Sequence, residues 1–462
     1  MALRTRGRVP VALLLGALLL SACGGGNATP AAAGGAGGSV TGALIAPPGA
    51  SGGSPGAVAF DPAAYKKNAV EPGAHLRVAS WGDTSEQQVN QDALARFQQV
   101  YPDIKITYEP QPSDYGTKLL AQVKAGSQPD VFYLDVDLPY QLIPHQVLLD
   151  LTPALAEVGR SKDDYFPGLT GVFLGPDGQV YGLPKDFTSM ALFYNTDLVK
   201  TPPKPGWTQD DFAAWVKANT VGSGQTRVFG FASDLVFFLY WGNFALANGA
   251  RVLDNNRCAI NSPAGVATLD WFYGLYQDQV LTLSADVSAG WEGEAFAKKR
   301  AASIVVGSWI NPYLNDPKAA FDVHYDAVPL PLGKSGATTL GFAGWGAAAQ
   351  TRFPKAAAAL VLFLTSRENE GAILQTGFAL PSLRGMENHP FFQGSSTLSR
   401  ISRLLYEGAS YGLPGVWGGP ANPQIQKALN EATERVFAGM QTSRQALDQA
   451  CQEIDAALAA VR

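Results

Sequence analysis

The residues of this chain that are best suited to chemistry are aromatic and acidic. An indole face can stack on the apolar C–H face of a sugar ring, and carboxylates accept hydrogen bonds from its hydroxyls. Among nine tryptophans, four stand beside Gly, Ser or Asn in stretches typical of loops: Trp241, Trp309, Trp345 and Trp417. This pattern favours binding of a polyhydroxylated ligand. The alternative is that individual rings only pack.

Motifs for nucleophilic catalysis and phosphate binding are incomplete. Gly-x-Ser-x-Gly occurs around Ser51 and Ser54 in a Gly-rich stretch, and around Ser410 after a helical pattern with no later histidine. A hydrolase of that type needs a strand-to-helix turn and a histidine further along the chain. Gly333-Lys334-Ser335 resembles the end of a phosphate loop, but Val328 stands where the motif needs glycine. We therefore expect no catalytic nucleophile.

Metal and acid–base chemistry find little support in the sequence. The histidines are isolated from one another and lack the short spacing of a zinc site, so we expect no metal and no cofactor. They are His75, His145, His324 and His389. Asp135 and Asp137 lie at alternate positions and would form a glycosidase pair only if a second acid met one of them in space. The sequence leaves that alternative open.

The N-terminus carries an export pattern. Arg4, Arg6 and Arg8 precede an apolar run over residues 11–20, and Leu20-Ser21-Ala22-Cys23 follows. These residues resemble a lipobox, which implies a signal peptide over 1–22 and lipids on Cys23. The alternative is an ordinary signal peptide with a chance cysteine. We expect an extracytoplasmic protein, anchored by lipid at the bacterial cell surface or in the periplasm.

Residues 23–73 are predicted to be a flexible linker. Gly, Ala, Pro, Ser and Thr dominate its first part, and no charged residue occurs between Gly24 and Phe60. Such a composition cannot bury enough apolar surface to offset the entropy of ordering. A coil of ~50 residues spans roughly 40 Å, enough for a folded body to move near a membrane. The alternative is a processed pro-region.

The remaining chain has the composition of a globular, acidic protein. Hydrophobic residues make up 46% and charged residues 16% of 462 residues, with a net charge of −5. An acidic body disfavours nucleic acid, and disfavours a membrane contact other than the lipid anchor. Export permits a disulfide between Cys258 and Cys451, although Cys451 also fits the apolar face of a C-terminal helix.

Strand and helix patterns alternate in the body. Strands are predicted at 75–81, 104–108 and 130–134, with helices at 86–100 and 115–125 between them. This order is typical of a parallel α/β sheet. Further on, Thr208 and Ser262 are predicted to cap helices, and the last third is mostly helical.

At this point the chain resembles a known family, the extracellular solute-binding proteins of ABC sugar importers, which includes maltose- and trehalose-binding proteins. The resemblance covers the chain from about Leu76 to its C-terminus. Its motifs include Tyr181-Gly182-Leu183-Pro184-x-Asp186, Leu192-Phe193-Tyr194-Asn195-x-Asp197-Leu198, Gly307-Ser308-Trp309 and Gly341-Phe342-Ala343-Gly344-Trp345-Gly346.

The resemblance implies a two-lobed α/β fold of the periplasmic-binding type, with a ligand cleft between discontinuous lobes. The N-terminal lobe would comprise 74–187 and 330–367, and the C-terminal lobe 188–329 and 368–462. The chain would cross between lobes near 185–191, 327–333 and 365–371.

The resemblance also implies the site. Asp137 and Asp186 match hydroxyl-binding acids, Trp309 matches a stacking ring, and Gly344 with Trp345 matches a pair that approaches the sugar from the other lobe. Trp417 lies in the late loop where the family often has another aromatic. Weaker matches are Glu86 and Trp241, and then Asp83, which has helix capping as an alternative role.

The implied function is capture of a mono-, di- or oligosaccharide by cleft closure, and its delivery to the transmembrane subunits of an ABC permease by a monomeric, non-enzymatic protein. One alternative is a polar solute such as glycerol phosphate, although Lys185 is the only cation in the proposed site segments. A secreted carbohydrate-active enzyme using Asp137 or Asp186 is the other alternative.

Overall fold

The computed structural model describes residues 60–461. The predicted signal peptide over 1–22, the predicted lipidation site at Cys23 and the predicted linker up to residue 59 lie outside the described residues.

Strands and helices alternate through the first part of the chain, and helices dominate the last part, as predicted. The strands are β1 (His75–Ser80), β2 (Lys105–Pro110), β3 (Val131–Leu134), β4 (Leu183–Ser189), β5 (Ala191–Asn195), β6 (Phe231–Ser233), β7 (Leu253–Asp254), β8 (Arg257–Cys258), β9 (Leu281–Leu283), β10 (Ser303–Val306), β11 (Tyr325–Val328), β12 (Thr338–Ala347) and β13 (Gly412–Pro414). The helices are α1 (Thr84–Val100), α2 (Tyr115–Lys124), α3 (Leu138–Leu142), α4 (Thr152–Glu157), α5 (Pro167–Thr170), α6 (Gln209–Ala218), α7 (Trp241–Ala247), α8 (Pro263–Gln277), α9 (Glu292–Ala297), α10 (Ile310–Leu314), α11 (Pro354–Leu364), α12 (Arg367–Gln375), α13 (Thr397–Gly408), α14 (Asn422–Phe437) and α15 (Ser443–Ala460).

Two larger sheets organise these elements. The first sheet has the order β13-β12-β3-β1-β2, with β4 also paired to β12, and its β1, β2 and β3 are parallel as predicted. The second sheet has the order β11-β5-β10-β6-β9. In both sheets, apolar side chains are buried against helices, which places the fold in the mixed α/β class.

The chain passes between the sheets at two of the three predicted places. β4 in the first sheet leads directly to β5 in the second, and β11 in the second leads to β12 in the first. At the third predicted place, 365–371, the chain enters α12, and the later β13 pairs with β12 of the first sheet. Ile401 and Leu405 of α13 lie in a core that residues of both sheets share, and the second core receives the chain from Ala421 onward. The lobe limits, including the passage at 365–371, remain a prediction.

Residues 60–73, predicted as the end of the linker, pack on the folded body instead. Phe60 and Tyr65 lie edge-on against Phe363, with ring centroids 5.8 and 5.2 Å away. The Glu71 carboxylate accepts hydrogen bonds from the backbone N–H groups of Lys355 (3.0 Å) and Ala356 (2.8 Å), at the start of α11. The linker prediction fails over residues 60–73, because the aromatic and charged residues that contact the folded body begin at residue 60.

Glu71 acts as a helix cap from a distant part of the chain. We expect Glu71→Ala to lower the free energy of unfolding by ~1 kcal/mol, because two N–H groups at a helix N-terminus lose a charged acceptor. Thermal unfolding measures the loss. Asp61→Ala is the control, since Asp61 bonds only within its own turn, to the Ala63 N–H. Equal melting temperatures for the two variants would contradict this role.

The structure joins Cys258 of β8 to Cys451 of α15 by a disulfide. The sequence left two alternatives for Cys451, a disulfide with Cys258 or packing alone on the apolar face of a helix. The structure contains the disulfide. The bond fastens the C-terminal helix to the small β7–β8 hairpin.

Candidate ligand-binding site

A cavity of about 530 Å³ lies where the two sheets meet. The chain segments after the carboxyl ends of β1 and β10 face it, and the passing strands β4 and β12 form part of its wall. Ligands of open α/β sheets bind at such strand ends. The lining residues are Trp81, Asp83, Glu86, Lys185, Asp186, Phe187, Thr188, Phe238, Leu239, Trp291, Ser308, Trp309, Gly341, Phe342, Ala343, Phe378 and Ala379.

The turn after β1 presents an indole and two carboxylates. Trp81 packs edge-on against Tyr115 and Tyr133, which fixes its ring at the cavity wall. Gly82 has φ of +124°, and a Cβ there would lie 2.5 Å from Oε2 of Glu86, so the turn requires glycine. Asp83 caps α1, because its Oδ1 accepts hydrogen bonds from the backbone N–H groups of Ser85 and Glu86. Its second carboxylate oxygen therefore stays available.

Lys185 is the cation of this cavity and is already paired. Its ammonium contacts the carboxylate of Asp186 and lies 3.9 Å from Oε1 of Glu86. The rings of Tyr133 and Phe378 lie 4.8 and 5.2 Å from the same nitrogen. Its side chain is only 5% exposed, so these partners replace most of its hydration.

Burial raises the pKa of Glu86 to about 7, and the negative charge of Asp186 adds to that effect, while Lys185 opposes it. Near neutral pH, Glu86 is therefore present in both its protonated and its ionised form. An acid in this state can donate or accept a hydrogen bond according to what a ligand offers.

The opposite wall comes from the second sheet. Ser308, just after β10, donates from its backbone N–H to Oγ1 of Thr188 (3.0 Å) and from its Oγ to the carbonyl of Phe378 (2.7 Å). The adjacent Trp309 packs against two glycines: a Cβ on Gly307 would lie 2.3 Å from its ring, and one on Gly341 3.9 Å. The indole therefore reaches from the second sheet to β12 of the first.

Of the nine residues predicted to bind ligand, the structure brings four to this cavity. Asp83 and Glu86 come from the turn after β1 and the start of α1, Asp186 from β4, and Trp309 from the segment after β10. Sequence positions 83 and 309 thus meet in one place.

Three further predicted residues lie in the core instead. Trp241 has no exposed surface and donates from Nε1 to Thr433 Oγ1 (2.9 Å), while Trp345 is 2% exposed and packs on Tyr133. A Cβ on Gly344 would lie 2.6 Å from the ring of Phe173, so this glycine serves close packing. Rings without exposed surface cannot stack on a ligand, and the proposed site does not include these residues.

Asp137 and Trp417 meet away from the cavity. Asn422 joins them, since its Nδ2 donates to Asp137 Oδ1 and its Oδ1 accepts from the Trp417 N–H, both at 2.7 Å. Trp417 also packs its ring on Phe237. These contacts give both residues a structural role at the place where the chain enters the second core.

Sequence reasoning missed several residues that line the cavity. Trp81 is the last residue of the strand predicted at 75–81, and its position at a strand end was the available signal. Trp291 and Phe238 lie in segments whose patterns carry no such signal. Phe378 follows α12 and reaches the cavity only because its segment pairs with β4.

A larger cavity of about 830 Å³ lies beside Phe166, Phe187, Arg403, Tyr406 and Glu407. None of the nine predicted residues lines it, and no segment that follows β1 or β10 reaches it. We therefore assign the candidate site to the smaller cavity.

The chemistry of the site is stacking and hydrogen bonding. Three tryptophans offer ring faces, three carboxylates offer acceptors, and one lysine is already neutralised by Asp186. Within residues 60–461, no group of three His, Cys, Asp or Glu side chains is arranged to hold a metal ion. Within the same range, none of the helices has the length and apolarity needed to cross a membrane.

Comparison with known proteins identifies the family. Residues 92–398 match the family described as bacterial extracellular solute-binding protein. The galactooligosaccharide-binding protein of Bacillus subtilis (strain 168) is 23% identical over 80% of this chain and 87% of its own length. An ABC substrate-binding protein of Listeria monocytogenes, solved in complex with cycloalternan, superposes with a TM-score of 0.73 at 22% identity, over 83% of this chain and 98% of that one.

The maltose-bound MalE3 of T. maritima superposes with a TM-score of 0.71 at 22% identity, over 82% of this chain and 99% of that one. At such identities these structures establish the two-lobed fold. The family match spans well over half of the chain, so the protein belongs to the bacterial extracellular solute-binding proteins.

Proposed function

We propose that the protein captures a carbohydrate outside the cytoplasm and delivers it to the permease of an ABC importer. The observation that carries this proposal is the cavity at the junction of the two sheets, where Trp81, Trp291 and Trp309 stand beside Asp83, Glu86 and Asp186. The names of the relatives support it, since they describe a galactooligosaccharide-binding protein and complexes with cycloalternan and maltose.

Closure around the ligand follows from the connections of the cavity. Its walls come from both sheets, which are joined through β4–β5 and β11–β12. A sugar that contacts Trp309 on one side and Glu86 on the other interacts with both sheets only when they are close together. Ligand therefore shifts the equilibrium toward a closed form, which is the form expected to dock on the permease.

The ion pair between Lys185 and Asp186 favours binding of a neutral sugar over binding of a phosphate ester or catalysis on a sugar. A phosphate ligand needs a free cation, and the one cation among the described lining residues is neutralised by Asp186. The same contact engages Asp186, which an enzyme would need as a base or nucleophile. We therefore infer a binding protein without turnover.

Calorimetric titration with neutral oligosaccharides and with glycerol phosphate tests this inference. We expect saturable heat with at least one sugar, none with glycerol phosphate, and unchanged ligand on chromatography afterwards. Heat with glycerol phosphate alone, or a hydrolysed sugar, would replace the proposal by one of its two alternatives.

Affinity is expected to depend on pH through Glu86. A sugar hydroxyl that donates to this carboxyl favours its ionised form, so affinity should increase as pH rises through about 7. Glu86→Gln removes the titrating group and should flatten that rise. An identical rise in the variant would assign it to another group.

The N-terminal residues complete the proposal. Cys23 would carry the lipids, and residues 24–59 would form the tether, since packing on the folded body begins at Phe60. A monomer on such a tether stays at high effective concentration near its permease.

A further inference from the structure

Glu370, on α12, is a buried carboxyl that does not line the ligand cavity. It is 1% exposed, and Ser382 beside it is fully buried. Oγ of Ser382 lies 2.5 Å from Oε1 of Glu370 and 2.8 Å from the carbonyl oxygen of Pro184 in β4. The backbone N–H of Leu383 donates to the other carboxyl oxygen at 3.1 Å.

These distances favour the protonated form of Glu370. A serine hydroxyl has one hydrogen and cannot donate it to Glu370 and Pro184 at once. If Glu370 is a neutral acid, it donates to Ser382 Oγ, which then donates to the Pro184 carbonyl, and every group is satisfied. If Glu370 is ionised, Ser382 must turn its hydrogen toward the carboxylate, and the bond to β4 is lost.

The charged and titratable neighbours agree with the neutral form. Arg160 is the cation that faces Glu370, but its guanidinium is engaged by the carbonyls of Leu362 and Thr365 and by the Tyr165 hydroxyl. Among the described residues, none forms an ion pair with Glu370. Burial raises its pKa to about 8, against the opposing effect of Arg160. The other titratable groups that interact with Glu370 are Tyr165, Asp186 and Tyr406.

The bond to Pro184 holds one end of a segment that reaches the cavity. Residues 378–383, the hinge segment, pair with β4 through reciprocal backbone bonds between Phe187 and Leu380. At its other end, Phe378 lines the cavity, lies under the Lys185 ammonium, and accepts from Ser308 of the second sheet. Ser382 therefore sets the position of β4 just before Lys185 and Asp186.

We propose that Glu370 is a positioning residue of the ligand cavity: as a neutral acid it fixes the hinge segment on β4 through Ser382, and loss of its proton loosens Phe378 and Lys185. The effect on affinity rests on the proposed carbohydrate function. The protonation state itself does not.

The test uses Glu370→Gln, whose amide donates to Ser382 and accepts from Leu383 as the neutral acid does. The control is Glu368→Gln, an exposed glutamate on the same helix. In the wild type and the control, the dissociation constant for the best-binding oligosaccharide should rise about tenfold per pH unit above about 8, the limit for one proton. In Glu370→Gln it should keep above pH 8 the value that it has at pH 8. A parallel loss of affinity in Glu370→Gln would overturn the proposal.

A second readout needs no ligand. Infrared spectra of the full chain near pH 7 should contain a protonated carboxyl C=O band, to which Glu86 and Glu292 also contribute because burial raises the pKa of each to about 7. The Glu370 component of this band should be missing from Glu370→Gln and retained in Glu368→Gln. Its retention in Glu370→Gln would overturn the neutral-acid assignment even if no sugar bound at all. Failure of every sugar to bind, with the band behaving as stated, would overturn the proposed function and the role in affinity together, and would leave the proton assignment supported.

Discussion

Replacing Trp309 by alanine is expected to weaken carbohydrate binding close to a hundredfold. A sugar that covers roughly half of the ~200 Å² an indole buries gains about 2.5 kcal/mol at ~25 cal/mol per Å². Each 1.4 kcal/mol is about tenfold in the dissociation constant. The structure gives this residue the largest expected effect, because its ring reaches from the segment after β10 to Gly341 of β12.

The matched control removes an indole that lies outside the cavity. Trp417→Ala deletes the same ring from a contact with Phe237, so the dissociation constant should stay within about twofold of the wild-type value. Titration calorimetry measures both variants, and thermal unfolding verifies that each is folded. Equal losses in the two variants would remove Trp309 from the site, and a loss confined to Trp417→Ala would exchange their roles.

Removing the disulfide is expected to destabilise the protein by roughly 3–5 kcal/mol. The two cysteines are 193 positions apart, and a cross-link that closes so long a loop strongly restricts the unfolded chain. Their Cα atoms are 5.1 Å apart, within the ordinary range for disulfides. Around the bond, Asp455 and Asp448 on α15 accept from the Cys258 N–H and from Asn261.

The double variant Cys258→Ser with Cys451→Ser gives the measurement. Its free energy of unfolding in denaturant should fall by that amount, and treatment of the wild type with a reductant should produce the same fall. Affinity for ligand at temperatures where the variant is folded should not change, since neither cysteine lines the cavity. Unchanged stability in both experiments would contradict the cross-link.

Local patterns in the sequence predicted local structure well. Thr208 and Asp211 form the reciprocal capping box that starts α6, and Ser262 caps α8 by accepting from the Gly265 N–H, both as predicted. The first five elements follow the alternation of apolar residues. Such features depend on neighbours a few positions away, which the sequence displays directly.

The structure places two of the predicted tryptophans, Trp241 and Trp345, in the core, where long-range packing decides their positions. Trp345 stands between two glycines, a context typical of a loop. In the structure these glycines serve close packing instead, since Phe173 packs against Gly344 and Leu134 packs against Gly346. The ring therefore lies inside the first sheet's core. The residues near Trp345 in the sequence do not reveal that Phe173 packs against them in the fold. The sequence could therefore not distinguish a ring that stacks on a ligand from a ring that packs in the core.

The electrostatics of the site could be predicted only in part. Asp186 was found through its motif, but its contact with Lys185 and the proximity of Glu86 depend on how β4 lies beside the turn after β1. The raised pKa of Glu86 follows from that burial, which is a property of the assembled cavity. The same holds for Glu370, whose partner Ser382 is brought to it by the pairing of the hinge segment with β4.

The central claim is that the cavity between the sheets binds a carbohydrate through its tryptophans. The most direct test is intrinsic tryptophan fluorescence of the purified protein, titrated with a panel of mono-, di- and oligosaccharides. The account predicts a saturable change with at least one sugar, which Trp309→Ala shifts to about a hundredfold higher sugar concentration and Trp417→Ala leaves in place. A folded wild-type protein that responds to none of these sugars would contradict it.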